Sequence, residues 1–172
     1  LIVDRAGNFY GTAEYGGLHS NNGTVFKLAP DGTLITLHTF VRETEGASPQ
    51  GVIADRAGNL YGTASYGGTY NCGTVFDLAR EGTLTVLHSF TCGNDGWNPH
   101  GLIRDQSHNL YGTTLWGGAD GLGGTVFKLA PDGTLITLHS FAGGSDGTHP
   151  HSGVIMDEAG DLYGTTDYGG AY

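Results

Sequence analysis

Asn109-Leu110-Tyr111-Gly112-Thr113 is the stretch on which the fold turns, because it stands three more times as Asn8-Phe9-Tyr10-Gly11-Thr12, Asn59-Leu60-Tyr61-Gly62-Thr63 and Asp161-Leu162-Tyr163-Gly164-Thr165. Subtracting the tyrosine positions gives spacings of 51, 50 and 52 residues, so the chain is a repeat array and must be read unit by unit. Working outward, each of the first three copies is followed by Gly-Thr-Val-Phe at 23–26, 73–76 and 124–127. Next come Asp31-Gly32-Thr33-Leu34, Glu81-Gly82-Thr83-Leu84 and Asp132-Gly133-Thr134-Leu135, and the units close on Leu37–Phe40, Leu87–Phe90 and Leu138–Phe141. The units run 1–50, 51–100 and 101–152, with a partial one at 153–172. Without an initiator Met and ending mid-unit at Tyr172, the sequence is expected to be a piece of a longer or processed chain.

Composition points to an all-β fold. The 32 glycines and 5 prolines supply turns, and no stretch carries a 3.6-residue apolar period. Short runs of β-branched and aromatic residues, bounded by Gly, Asn and Asp, predict four strands per unit. In the third unit these are Leu102 to Asp105 (a), Leu110 to Leu115 (b), Thr125 to Ala130 (c) and Thr134 to Phe141 (d). The connections Gln106-Ser107-His108-Asn109 and Pro131-Asp132-Gly133 are short and turn-prone, which makes each unit an antiparallel meander. A meander of this size cannot bury two apolar faces alone, and stacking around an axis as the blades of a β-propeller solves the problem. Three and a half blades do not close a ring. Further sequence, or association with another copy of the chain as a homo-oligomer, is expected to complete it.

The ordered set Asp-x-x-Gly-Asn-Leu-Tyr-Gly-Thr, Tyr/Trp-Gly-Gly, Gly-Thr-Val-Phe-x-Leu, Leu-His-Ser-Phe and Asp-Gly-x-x-Pro resembles the Gloeobacter/Verrucomicrobia tandem repeat across essentially the whole chain. The resemblance implies an exported bacterial array, secreted or held at the cell surface, and brings no defined activity with it. Departures are Ser107-His108 for Ala-Gly, Asp161 for Asn, and Glu45-Gly46 for Asp-Gly.

With 17 Asp and Glu against 7 Lys and Arg, the formal net charge is −10, which excludes binding to nucleic acid or anionic membrane by bulk electrostatics. No run of about 20 apolar residues exists for membrane insertion. Cys72 stands just before strand c of the second unit and Cys92 just after its strand d, neighbouring positions in an antiparallel pair. A disulfide there would close a loop of about 20 residues and contribute roughly 3 kcal/mol, consistent with an oxidising compartment; free thiols or a soft metal site are the alternatives.

Blade topology brings the d-to-a and b-to-c connections to one face, where the variable residues collect. The d-to-a loops are read as Val41 to Gln50, Thr91 to His100 and Ala142 to Ser152. They carry the carboxylates Asp95 and Asp146, the indole of Trp97, and the imidazoles of His100, His149 and His151. The b-to-c loops open on Tyr15, Tyr66, Trp116 and Tyr168, each before Gly-Gly. Aromatic faces beside carboxylates suit sugar recognition, so Trp97, His100, Trp116, Tyr66, His149 and His151 are the ligand-binding candidates. The recurring aromatic reads first as a structural corner, whereas Trp97, at a position held by Ala47 and Thr148 in the other loops, is the better binding candidate.

His100, His149 and His151 are also the candidates for a divalent transition metal, although no tight ligand spacing demands one and the default is no cofactor. His38, His88 and His139 recur at one place in strand d and read as packing and hydrogen-bonding elements. Three functions remain open. The first is an extracellular module binding glycans or a surface protein through the loop face. The second is a polysaccharide hydrolase or lyase using Asp95, Asp146 or His100, and the third is a structural spacer or assembly repeat.

Overall fold

The computed structural model describes residues 1–18 and 21–171, which form three four-stranded antiparallel sheets and one two-stranded sheet. The first sheet is β1 (Ile2–Val3), β2 (Phe9–Ala13), β3 (Thr24–Leu28) and β4 (Leu34–Thr39). The second is β5 (Ala47–Ala54), β6 (Leu60–Tyr66), β7 (Thr74–Leu78) and β8 (Leu84–Ser89). The third is β9 (Trp97–Arg104), β10 (Leu110–Trp116), β11 (Thr125–Leu129) and β12 (Leu135–Ser140), and β13 (Ile155–Met156) with β14 (Leu162–Tyr163) opens the fourth unit. Strands lie in chain order within each sheet, so every unit is a meander and successive sheets are propeller blades. No α-helix occurs among the described residues; a single 3₁₀ turn spans Gly144–Asp146.

Two local devices shape each blade. At the a–b turn, the Asp4 carboxylate accepts the backbone N–H of Ala6 and Asn8, the Asn8 side-chain amide and the Tyr10 hydroxyl. Asp55 repeats all four contacts. This arrangement accounts for Asp, Asn and Tyr in the motif. Their glycine follows from packing: a Cβ on Gly112 would lie 2.6 Å from the Gly101 carbonyl oxygen and 2.7 Å from Cζ of Phe127, so only hydrogen fits.

The apolar cores lie between blades rather than inside them. Val25 and Phe40 of the first unit cluster with Val52, Leu60, Ala64, Phe76 and Leu78 of the second. Val75 and Phe90 of the second then cluster with Leu102, Leu110, Phe127 and Leu129 of the third. At each seam a phenylalanine ending one blade meets a strand-c phenylalanine of the next edge to face, Phe40 on Phe76 at 5.1 Å and Phe90 on Phe127 at 5.3 Å between ring centres. All four rings are fully buried.

The structure corrects the extent of the d-to-a loops. Strands β5 and β9 begin at Ala47 and Trp97, so Trp97 and His100 are strand residues and not loop residues. In β9, Trp97 pairs with Trp116, Pro99 with Thr114 and His100 with Thr113, while Leu102 pairs with Gly112, leaving Gly101 as a bulge at φ 46°. Ser48, Asn98 and His149, each before a proline, adopt φ of 55°, 58° and 59°. Their N–H groups donate to the carbonyls of Asn22, Cys72 and Gly123 in the preceding blade, at 2.9, 3.0 and 2.8 Å. A proline beside a left-handed residue reads as loop in sequence, but here the pair forms the joint between blades. Gly124 completes it, because a Cβ there would lie 2.7 Å from Cδ of Pro150.

Cys72 and Cys92 form a disulfide, with Cα atoms 5.5 Å apart and a sequence separation of 20. It ties the start of β7 to the chain leaving β8. Replacing both cysteines with serine is expected to lower unfolding free energy by about 3 kcal/mol in denaturant titration. Phe127→Ala, which empties the second seam, is expected to cost about 3–5 kcal/mol in the same measurement.

Candidate functional site

The loops converge on one face because backbone hydrogen bonds bind them together. Gly68 N–H donates to the Arg42 carbonyl at 2.8 Å, Gly118 to Gly93 at 3.2 Å and Gly170 to Gly144 at 2.9 Å, so the loops that open on Tyr66, Trp116 and Tyr168 are each bonded to the segment leading into their own blade. What remains exposed is a rim of side chains on a rigid backbone.

Across the seam between the third and fourth units this rim carries a continuous row of rings. Trp97 and Trp116, opposite each other on β9 and β10, stack with centres 5.6 Å apart and planes 17° apart. His149 meets Trp116 edge to face at 4.1 Å and Tyr168 at 5.5 Å. Both indoles and His149 are half-buried and Tyr168 is 67% exposed, so the row is open to solvent in part and most at its Tyr168 end. In the preceding unit Tyr66 lies opposite Ala47, and its hydroxyl accepts a hydrogen bond from Asn98 Nδ2 at 3.3 Å. Tyr66 and Trp116 thus each reach the left-handed residue of the next blade, Asn98 or His149, which gives the recurring aromatic a bracing contact as well as an exposed surface.

His100 and His151 come together nearer the axis, on neighbouring inner segments, with ring centres 4.7 Å apart. His100 is 7% exposed, and its Nε2 is buried without a hydrogen-bond partner. Burial, and then repulsion from His151, push its pKa down to about 4, with Asp167 pulling the other way. His149, the third metal candidate, faces the aromatic row instead. No group of three or more His, Cys, Asp or Glu able to hold a metal occurs among the described residues.

Asp95 and Asp146 do not face each other; each is held by a histidine of its own unit. His88 Nε2 lies 3.2 Å from Asp95 and His139 Nε2 lies 3.0 Å from Asp146, repeating the 2.8 Å contact of His38 with Glu45. The same carboxylates accept the N–H of Thr91 at 2.9 Å, Ala142 at 3.0 Å and, for Glu45, Val41 at 2.8 Å. Burial alone would raise the Asp95 carboxyl, but hydrogen bonds from His88 and Thr91 outweigh it and hold it below the ordinary range. The Ala142 N–H does most to lower Asp146. An anchored, ionised carboxylate is suited to closing a loop and unsuited to donating a proton. The sequence signal for this clasp was a seven-residue step from histidine to acid in all three units.

Stacked meanders with a shared loop face define a β-propeller repeat module. The chain belongs to the Gloeobacter/Verrucomicrobia repeat family, whose model matches residues 1–172. Among solved structures it is similar to one provisionally described as a gluconolactonase, at 19% identity and a TM-score of 0.52, covering 83% of this chain and 50% of that one. The chain therefore spans half the length of that structure, and the likeness is one of fold. No curated protein matches the chain.

The buried pair generates a pH prediction. His100 titrates lower in the folded state than its ordinary 6.5, so the unfolded chain binds more protons between about 6.5 and 4 and stability falls as pH drops through that window. The melting temperature is expected to decline from pH 6.5 to 4. His100→Gln, which installs the residue found as Gln50 in the first unit, is expected to flatten that decline.

Proposed function

We propose that the chain is part of an extracellular bacterial propeller module that binds glycans through its loop face. The observation that carries the reading is the partly exposed row Trp97, Trp116, His149 and Tyr168, in which the two indoles lie on paired strands and Tyr168 is held by a bridge to Thr148. Aromatic surface of this kind stacks on sugar C–H groups at low entropic cost, and the acidic rim favours neutral or basic ligands over anionic ones. The Cys72–Cys92 disulfide fits an oxidising compartment, and no helix among the described residues is long and apolar enough to cross a membrane. The carboxylates Asp95 and Asp146, both engaged in loop clasps, favour binding over hydrolysis.

The test is a polysaccharide and glycan-array screen of the purified chain, followed by affinity measurement on the best ligand. Trp97→Ala is expected to weaken binding at least about tenfold, or ~1.4 kcal/mol, while leaving the circular dichroism spectrum unchanged. Binding that is indifferent to Trp97, or shortening of the bound polysaccharide by the chain itself, would overturn the reading.

A further inference from the structure

Two departures from the repeat meet at one seam. The strand-c position occupied by Lys27 and Lys128 holds Asp77 in the second unit, and the last strand-a position, Val3, Ala54 and Met156 elsewhere, holds Arg104 in the third. In the first and third units the lysine sits over the tyrosine of its own blade, Lys27 Nζ 5.9 Å from the Tyr10 ring centre and Lys128 Nζ 5.8 Å from that of Tyr111. Over Tyr61 the cation comes from the neighbouring blade instead, with the Arg104 guanidinium carbon 4.9 Å from the ring centre and Nη1 3.8 Å from Asp55 Oδ2. The exchange preserves the cation–π contact and frees a carboxylate.

That carboxylate lines a cavity of about 400 Å³ between the second and third blades, at the end of the sheets opposite the loop face. Asp77 Oδ1 and Arg104 Nε are both buried there without a hydrogen-bond partner. An acceptor and a donor withdrawn from water and left unpaired destabilise the fold until something pairs them. One water occupies about 30 Å³ of liquid, so the space exceeds what a single bridging water would need. Burial first, then the charges of Asp55 and Glu81, push the Asp77 carboxyl up, with Arg104 opposing, so a ligand donor would relieve it.

The chemistry narrows the ligand. Asp77 and Asp132 line the groove against Arg104, whose charge is already partnered by Asp55 outside the lining, and this acidic balance disfavours phosphates and carboxylates. A simple cation would satisfy Asp77 and leave Arg104 Nε unpaired. Hydroxyl groups both donate and accept, and Leu87 and Leu110 in the wall offer apolar surface for the C–H face of a ring. We propose that this groove is a second binding site, for a neutral sugar ring whose hydroxyls donate to Asp77 Oδ1 and accept from Arg104 Nε. It is separate from the loop-face reading and does not depend on it.

The test uses calorimetric or saturation-transfer titration of the whole chain with a panel of neutral mono- and disaccharides, the diamine putrescine and inorganic phosphate. Asp77→Lys and Arg104→Ala install residues that other units already carry at these positions, so both variants are expected to keep the wild-type circular dichroism spectrum. At least one neutral sugar is expected to bind, to weaken tenfold or more in each variant, and to bind Trp97→Ala as tightly as the parent. Binding of none of the sugars, binding unchanged in Asp77→Lys and Arg104→Ala, loss confined to Trp97→Ala, or putrescine or phosphate binding in place of sugar would each overturn the proposal.

Discussion

Everything in this molecule depends on the burial of one blade's apolar face against the next. Phe90 at the end of the second unit and Phe127 in the third are each fully buried, yet neither has a complete apolar surrounding within its own sheet. A sheet of four short strands has too little interior to hide such rings. The seam therefore is the core, and the roughly fifty-residue repeat is the distance along the chain from one seam to the next.

The joint that holds the seam also builds the loop face. Asn98 and His149 adopt left-handed backbone conformations so that their N–H groups reach carbonyls of the preceding blade, and the prolines after them pack on Gly73 and Gly124. This geometry draws the start of each inner strand up to the rim. Trp97 faces Trp116 across paired strands as a result, and His100 is pressed against His151 beside the axis. The His–acid clasps close the intervening loops, giving the rim its rigidity without a metal ligand set among the described residues.

Architecture was largely legible because the repeat wrote the same physical requirements several times. The Tyr-Gly-Thr glycine, the turn aspartates and the strand phenylalanines could each be checked against their copies. The site was less legible for a physical reason. Asn98-Pro99 carries the chemistry of a loop, and only the tertiary hydrogen bond to Cys72 makes it part of a strand, so in sequence Trp97 and His100 read as loop residues. Asp95 and Asp146 read in sequence as free carboxylates, whereas the strand-d histidines seven residues before them, legible as packing and hydrogen-bonding elements, determine what those carboxylates do. Asp77 and Arg104 each look like an ordinary surface charge until the neighbouring blade is in place.

The most direct test of the shared-core account is the behaviour of one repeat by itself. A synthetic or expressed segment of residues 47–92, which holds β5 to β8 whole and is oxidised at Cys72–Cys92, should show a disordered circular dichroism spectrum, collapsed amide dispersion and no cooperative melt, because Val75 and Phe90 have lost the blade that covers them. A dispersed spectrum with a sigmoidal thermal transition in that single-blade segment would contradict the account, since it would show that a blade carries a sufficient core of its own.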